Sequence, residues 1–248
     1  MNRRAQAVVL LLMGGVLLRT SLTTAYRNYV GEGLRKFLIA TGVALVVTAV
    51  ATLWYELRGG AMDDPHDHGH DHGGHDGHGH SGEPRVAWLL LLPVFALLLV
   101  APPARGSYAA SRSGTALSQQ QKPNDFPPLP EGDPAKISVL DYASRAVFDH
   151  GDSMTGHRVQ LTGFILTGPD GQPYLARMII SCCAADARPI KVGLTGQVPG
   201  GLAPDTWLEV TGGYTARTVK DGVNGETIPF IDVTEAREVA APSRPYEV

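Results

Sequence analysis

Two groups of residues in this 248-residue chain are of types that do chemistry. The first is GGAMDDPHDHGHDHGGHDGHGHSG, residues 59–82. It holds seven histidines: His66, His68, His70, His72, His75, His78 and His80. Five aspartates accompany them (Asp63, Asp64, Asp67, Asp71 and Asp76), together with eight glycines. Neutral imidazole is the commonest protein metal ligand, and it suits zinc, copper, nickel and iron. The His-x-His alternation on a glycine-rich chain lets several rings converge on one ion. Asp67, Asp71 and Asp76 add carboxylate ligands and attraction for a cation. Such a loop binds ions at several exchangeable sites and loses them as pH falls through the imidazole pKa near ~6.5. The segment has no apolar face to pack, so the alternative to metal capture is a solvated low-complexity linker. A structural zinc finger is excluded, because no cysteine lies in the segment and no core surrounds it.

The second group is Cys182-Cys183, the only cysteines of the chain, within Ile179–Ala187 (IISCCAADA). Two adjacent cysteines exclude a disulfide framework. Side chains alternate along a strand, so the pair diverges unless the chain turns between them. Three roles stay open. The cysteines are small buried hydrophobes, or Cys182 or Cys183 forms a soft-metal site with Asp186, to which His150 or His157 is an optional addition, or they carry a redox or transient thiol function. No C-x-x-C is present, so a thioredoxin-type couple is unsupported. Nothing orients Asp149, His150 and Ser153 as a triad, and no nucleophile elbow, phosphate-binding loop or HExxH helix occurs. The expected protein is non-enzymatic, with no obligatory cofactor and with zinc or another divalent transition metal as the candidate ligand.

The elements that must position these groups differ between the two halves of the chain. Charged residues make up 18% and hydrophobic residues 44%, with a net charge of −3. Leu, Val and Ala crowd the first hundred positions, in three apolar runs: Ala5–Leu18, Phe37–Trp54 and Val86–Ala101. A helix needs about 20 mostly apolar residues to cross the hydrocarbon core. The second run nearly meets that length, and the third does so with its flanks. The first is extended by Thr20–Tyr26 if Arg19 snorkels to the interface. That first run also reads as a signal peptide, but the second follows so soon that an uncleaved hairpin is favoured. Trp54, Tyr55 and Trp88 sit at segment ends, as interfacial aromatics do. Three spans make a multi-pass protein of the cell membrane. Arg19, Arg27, Arg35, Lys36, Arg105 and Arg112 fall on one side, and Arg3, Arg4, Arg58 and Arg85 on the other. The positive-inside rule then places the C-terminal domain in the cytoplasm and the histidine loop outside.

The expected organisation is a transmembrane region over 1–104, a Pro/Ser-rich linker over 105–135 and a soluble β domain over 136–248. Ser138 and Asp141 resemble a capping box before VLDYASRAVF, which predicts a short helix over 138–149. Strand patterns follow at Arg158–Leu166, Tyr174–Ser181, Pro189–Thr195, Trp207–Tyr214 and Ile228–Val239, with Gly- and Pro-rich turns between them. Five strands in about 100 residues fit a small OB-like barrel. From Ala135 onward ten Lys and Arg stand against thirteen Asp and Glu. No basic stripe with interleaved aromatics is present, so nucleic acid is not an expected partner.

Several stretches resemble the YcgQ-like bacterial membrane proteins, a family described as the small subunit of a two-component permease. They are Tyr29-Val30 with Arg35, Gly106-Ser107-Tyr108-Ala109-Ala110, Ile179–Ala187, Trp207-Leu208-Glu209-Val210-Thr211-Gly212, and Pro245-Tyr246. The resemblance implies a multi-span protein with a soluble C-terminal domain, paired with a larger multi-span permease. Together with the histidine loop it leads to the expectation of an accessory permease subunit in divalent-metal handling. The rival expectations are a stand-alone metal buffer or sensor in the membrane, and a thiol-redox membrane protein using Cys182 and Cys183.

Overall fold

A computed structural model describes residues 3–59, 92, 104, 106–117, 126–168 and 171–247. The histidine loop, with His66, His68, His70, His72, His75, His78, His80, Asp67, Asp71 and Asp76, lies outside the described residues. So does the third apolar run, apart from Leu92. The chain divides into two compact units. One contains the N-terminal helices; the other contains residues 27–32 and 103–248.

The first unit is built on α1 (Arg3–Leu22) and α2 (Arg35–Gly59). Their 20 and 25 residues correspond to about 30 and 37 Å of helix. Both are long and apolar enough to cross a membrane. Arg19 falls in the last turn of α1 and is exposed. The helices meet through small residues. A Cβ on Gly14 would sit 2.9 Å from the Gly42 carbonyl oxygen, one on Gly42 would sit 2.9 Å from Leu18, and Ala7 and Ala49 are fully buried. Small residues let helix backbones approach closely, which is the usual way membrane helices gain packing contact. The large apolar side chains Val8, Leu11, Phe37, Val43, Val47 and Val50 point outward instead. In water that pattern is costly; against lipid it is not. At the far end of α2 the Arg58 guanidinium lies 4.4 Å from the Trp54 ring.

The second unit is a barrel. In chain order it contains α3 (Ser107–Arg112), β1 (Ala135–Lys136), α4 (Val139–Phe148), β2 (Val159–Thr167) and β3 (Pro173–Ile179). There follow β4 (Arg188–Gly196), β5 (Trp207–Lys220), β6 (Thr227–Glu238) and β7 (Tyr246–Glu247). The five long strands β2 to β6 close in the order β2–β3–β4–β6–β5–β2. Only the β4–β6 pairing of that ring is parallel. The five strands and the helix expected from the sequence are all present. Two short strands were not foreseen: β1 adds in parallel to β2, and β7 adds in parallel to β3.

Ser138 caps α4 by accepting the Asp141 N–H at 2.9 Å. Val139, Tyr142, Ala143 and Ala146 then bury one face of the helix against Leu161, Ile165, Leu175, Ile190, Leu208 and Ile231. A second apolar cluster uses the other side of the strands, with Phe164, Tyr174, Met178 and Phe230 packed beside Ala110 of α3. The Phe230 ring occupies the space a side chain at Gly193 would need, which explains a glycine inside β4.

The segment 105–135, expected as a spacer, is docked on the barrel in its described parts. The Thr115 N–H donates to Asp221 at 2.8 Å, and the Ala116 N–H to the Pro189 carbonyl at 3.0 Å. The Lys191 ammonium reaches Asp221 at 2.9 Å and the Ser113 carbonyl at 2.7 Å. Arg145 donates to the Pro127 carbonyl at 3.0 Å and lies 5.3 Å from the Phe126 ring. Proline and serine content hides this docking, because the holding groups are single residues of the distant barrel.

Candidate metal centre

The β3–β4 loop carries the candidate site. After Ile179 the chain leaves the sheet, and the Ile180 N–H donates to the Glu247 carbonyl of β7 at 3.1 Å. Ser181, Cys182 and Cys183 then turn into a single 3-10 turn, Ala184–Asp186, before β4 begins. Asp186 folds back under the loop. Its carboxylate accepts the N–H of Ser181 at 3.0 Å, of Cys182 at 2.8 Å and of Cys183 at 3.2 Å. In return the Asp186 N–H donates toward the Cys183 sulfur, closing a capping box.

This local fold brings together what strand alternation would separate. The two sulfurs are 3.6 Å apart, and one ligand atom from each of Cys182, Cys183 and Asp186 lies within 4.8 Å of the others. Cys182 is exposed; Cys183 and Asp186 are half-buried. The exposure argues against simple packing of a small hydrophobe. Neither His150 nor His157 joins the group. His150 is an exposed turn residue with φ 50°, and His157 is an exposed residue before β2. The group that the structure brings together is thus Cys182, Cys183 and Asp186, without the optional histidine.

The electrostatics follow from the same contacts. Hydrogen bonding of the Cys182 thiol to Asp186, then to Cys183, with lesser help from burial and the Asp186 charge, pushes Cys182 up to about 11. The Cys182 thiol and the backbone N–H groups hold Asp186 down at about 2. Both shifts favour a protonated Cys182 thiol beside a charged Asp186 carboxylate near neutral pH.

A third segment completes the neighbourhood, and no periodicity or motif in the sequence signals its pairing. Residues 27–32, which connect α1 to α2, belong to the barrel unit. Val30 pairs with Cys183 in an antiparallel bridge. The Gly31 N–H donates to the Cys182 carbonyl at 3.0 Å, and the Ala184 N–H to the Tyr29 carbonyl at 2.7 Å. The Tyr246 hydroxyl donates to the Asn28 carbonyl at 3.2 Å, and Arg244 pairs with Glu32 at 2.9 Å. Beside it, Glu247 of β7 accepts the N–H groups of Val139 and Leu140 at the start of α4, both at 3.1 Å, and lies 3.5 Å from Arg177. Tyr29-Val30, Ile179–Ala187 and Pro245-Tyr246, three of the stretches that carry the family resemblance, are therefore neighbours in space. A connector this short between two apolar runs reads as a mere turn, which is why its pairing with the cysteine loop was not anticipated.

Two surface hollows elsewhere lack comparable chemistry. One is a groove of about 290 Å³ lined by residues including Arg158, Gln160, Glu209 and Arg237. Its arginines are committed, Arg237 to Glu209 and Arg158 to Asp133. The other, of about 370 Å³, lies beside Lys191, whose ammonium is held by Asp221.

Residues 139–247, from the first residue of α4 into β7, match the family model described as the DUF1980 C-terminal domain. No curated protein and no solved structure matches the chain.

Proposed function

We propose that this protein is a non-enzymatic, multi-pass membrane subunit that handles a thiophilic divalent metal ion, with Cys182, Cys183 and Asp186 as its binding site. The observation that carries the reading is the convergence of these three side chains on an exposed loop. Two thiolates and a carboxylate are a donor set for zinc-like ions. The strand order of the barrel and its single parallel pair support an OB-like fold, here used as a platform for the loop. The histidine loop serves as a low-affinity collector of the same ion. The resemblance to YcgQ-like proteins supplies the partner, a larger multi-span permease.

Chain connectivity supports the membrane arrangement. Residues 27–32 join α1 to α2 and are grouped with the barrel residues; in a multi-pass arrangement the ends of α1 and α2 that flank them share one face of the bilayer. A chain that leaves through α2 has to return before residue 103. The apolar run Val86–Ala101 supplies that return and carries residues 59–82 to the opposite face. The basic residues Arg19, Arg27, Arg35, Lys36 and Arg112 favour the cytoplasm for the barrel's side.

The test is metal analysis of the full chain purified from membranes in reductant. The chain with all seven loop histidines replaced by serine should retain one zinc-like ion. Adding Cys182→Ser and Cys183→Ser should remove it. An ion content that ignores both cysteines would refute the reading, and capture of a permease alongside the chain would test the accessory role.

A further inference from the structure

The arrangement of the loop says which kind of ion it holds and how firmly. Around an ion with metal–sulfur bonds of about 2.3 Å, tetrahedral geometry separates two sulfurs by about 3.8 Å, whereas linear coordination needs about 4.6 Å. The observed separation is 3.6 Å, the bent spacing. Asp186 has about four acceptor positions. Three are taken by the N–H groups of Ser181, Cys182 and Cys183, which leaves about one for an ion. The three backbone donors fix the carboxylate in place, as outer-shell partners of a metal ligand do. Among the described residues no fourth ligating side chain stands with the three, and Cys182 faces solvent.

Building on the metal reading above, we infer that the β3–β4 loop is an open, three-ligand exchange site for a tetrahedral divalent ion. The ligands are Cys182 Sγ, Cys183 Sγ and one Asp186 carboxylate oxygen, and the fourth position is left for a ligand brought by whatever delivers or receives the ion. Closed four-ligand sites hold zinc structurally, while three protein ligands leave a position for exchange. Binding is a substitution: the divalent ion enters and the two thiol protons leave to buffer, so the site gains no net charge. The Gly31 N–H and the Tyr29 carbonyl bond the backbone of Cys182 and Ala184 to the connector without using either sulfur.

Cobalt(II) titration of the reduced full chain in detergent tests this, because sulfur-to-cobalt charge-transfer absorption reports only thiolate-bound ions and ignores the histidine loop. One cobalt per chain is expected, with tetrahedral ligand-field bands, displacement by zinc, and release of two protons per ion. Added imidazole or a small thiol should shift the ligand-field bands by filling the open position. Asp186→Asn, which keeps an oxygen for the backbone donors, should weaken cobalt binding at least tenfold and alter the bands. Circular dichroism and unchanged alkylation of unfolded-state controls confirm that this variant is folded. Bands indifferent to added ligand would overturn the open site, and undiminished binding by Asp186→Asn would remove the carboxylate from it. If the thiols ignore cobalt and zinc and take up only silver(I), the exchange-site inference fails, and so does the divalent ion of the function proposed above. If they bind none of these ions, the function proposed above fails too.

Discussion

Asp186→Asn in the metal-free protein isolates the electrostatic part of the reasoning. The wild-type Cys182 thiol donates to a carboxylate and is pushed up to about 11 from an ordinary 9.0. At pH 8 this leaves about one molecule in a thousand as thiolate, against about one in ten for an unperturbed thiol. Removing the whole shift would raise the thiolate fraction roughly a hundredfold. The intrinsic nucleophilicity of a thiolate falls with its pKa, with a Brønsted slope of about 0.4–0.5, which takes back roughly six- to tenfold. The Cys183 contribution survives the substitution. The expected outcome is therefore a several-fold, at most about tenfold, faster alkylation of Cys182 at pH 8. The midpoint of its pH–rate profile should move down from about 11. The sign for stability is fixed as well. A thiol whose folded pKa is raised stabilises the loop fully below the unfolded value and loses that contribution as pH climbs through about 11. Iodoacetamide labelling under chelator and phosphine reductant, with peptide mass spectrometry to separate Cys182 from Cys183, reads the rate. A Cys182 rate that is unchanged or slower in Asp186→Asn, with the midpoint unmoved, would refute the carboxylate–thiol contact.

Lys191 and Asp221 form a buried pair, so Lys191→Met should cost about 3–5 kcal/mol in denaturant unfolding, because an uncompensated carboxylate remains inside. Burial opposes the Asp221 charge, but the Val223 and Thr115 N–H groups and the Lys191 ammonium outweigh it and hold the carboxyl below its ordinary 3.8. The stability it contributes should persist above that value and drain away as pH falls through the lowered one, and Asp221→Asn should flatten that acid limb. At Gly31 a Cβ would meet nothing closer than 3.9 Å, so Gly31→Ala should be silent. Gly31→Pro, which deletes the N–H given to Cys182, should speed deuterium exchange at Cys183 and Ala184 and weaken cobalt binding. For topology, Ser81→Cys in a chain lacking the native cysteines should react with an impermeant maleimide on whole cells, and Ser243→Cys should not. The reverse pattern would put the barrel outside.

The barrel was legible because its signals are local. Ile190, Val192 and Leu194 alternate with residues of the other face, glycines punctuate the turns, and Ser138 with Asp141 marks the start of α4. Each of those features needs only the residues beside it. The short strands were illegible for the opposite reason. Ala135-Lys136 and Tyr246-Glu247 are strands because β2 and β3 offer them free edges, and two residues carry no periodicity. The same holds for the docked segment after residue 104. Its anchors, Lys191 and Asp221, read as ordinary surface charges until the fold buries them together.

The candidate site divides along the same line. Types and spacing were enough to single out Cys182, Cys183 and Asp186, yet not to say what Asp186 does. A carboxylate three residues after a cysteine reads as one more ligand. In the structure it is first the organiser of the turn, since three consecutive N–H groups end on it. That organisation reverses strand alternation and sets the two sulfurs side by side. The carboxylate thus creates the ligand geometry before it can serve in it, and the two roles predict different failures. Loss of the turn would scatter the sulfurs and abolish all thiolate coordination. Loss of the charge with one accepting oxygen kept would leave a two-sulfur chelate that binds less tightly. Asp186→Ala and Asp186→Asn compared by cobalt charge transfer therefore separate the roles: alanine should erase the band, and asparagine should weaken and reshape it. Equal loss in both variants would mean that the turn needs the carboxylate's charge, and equal retention would mean that Cys182 and Cys183 hold their geometry without it.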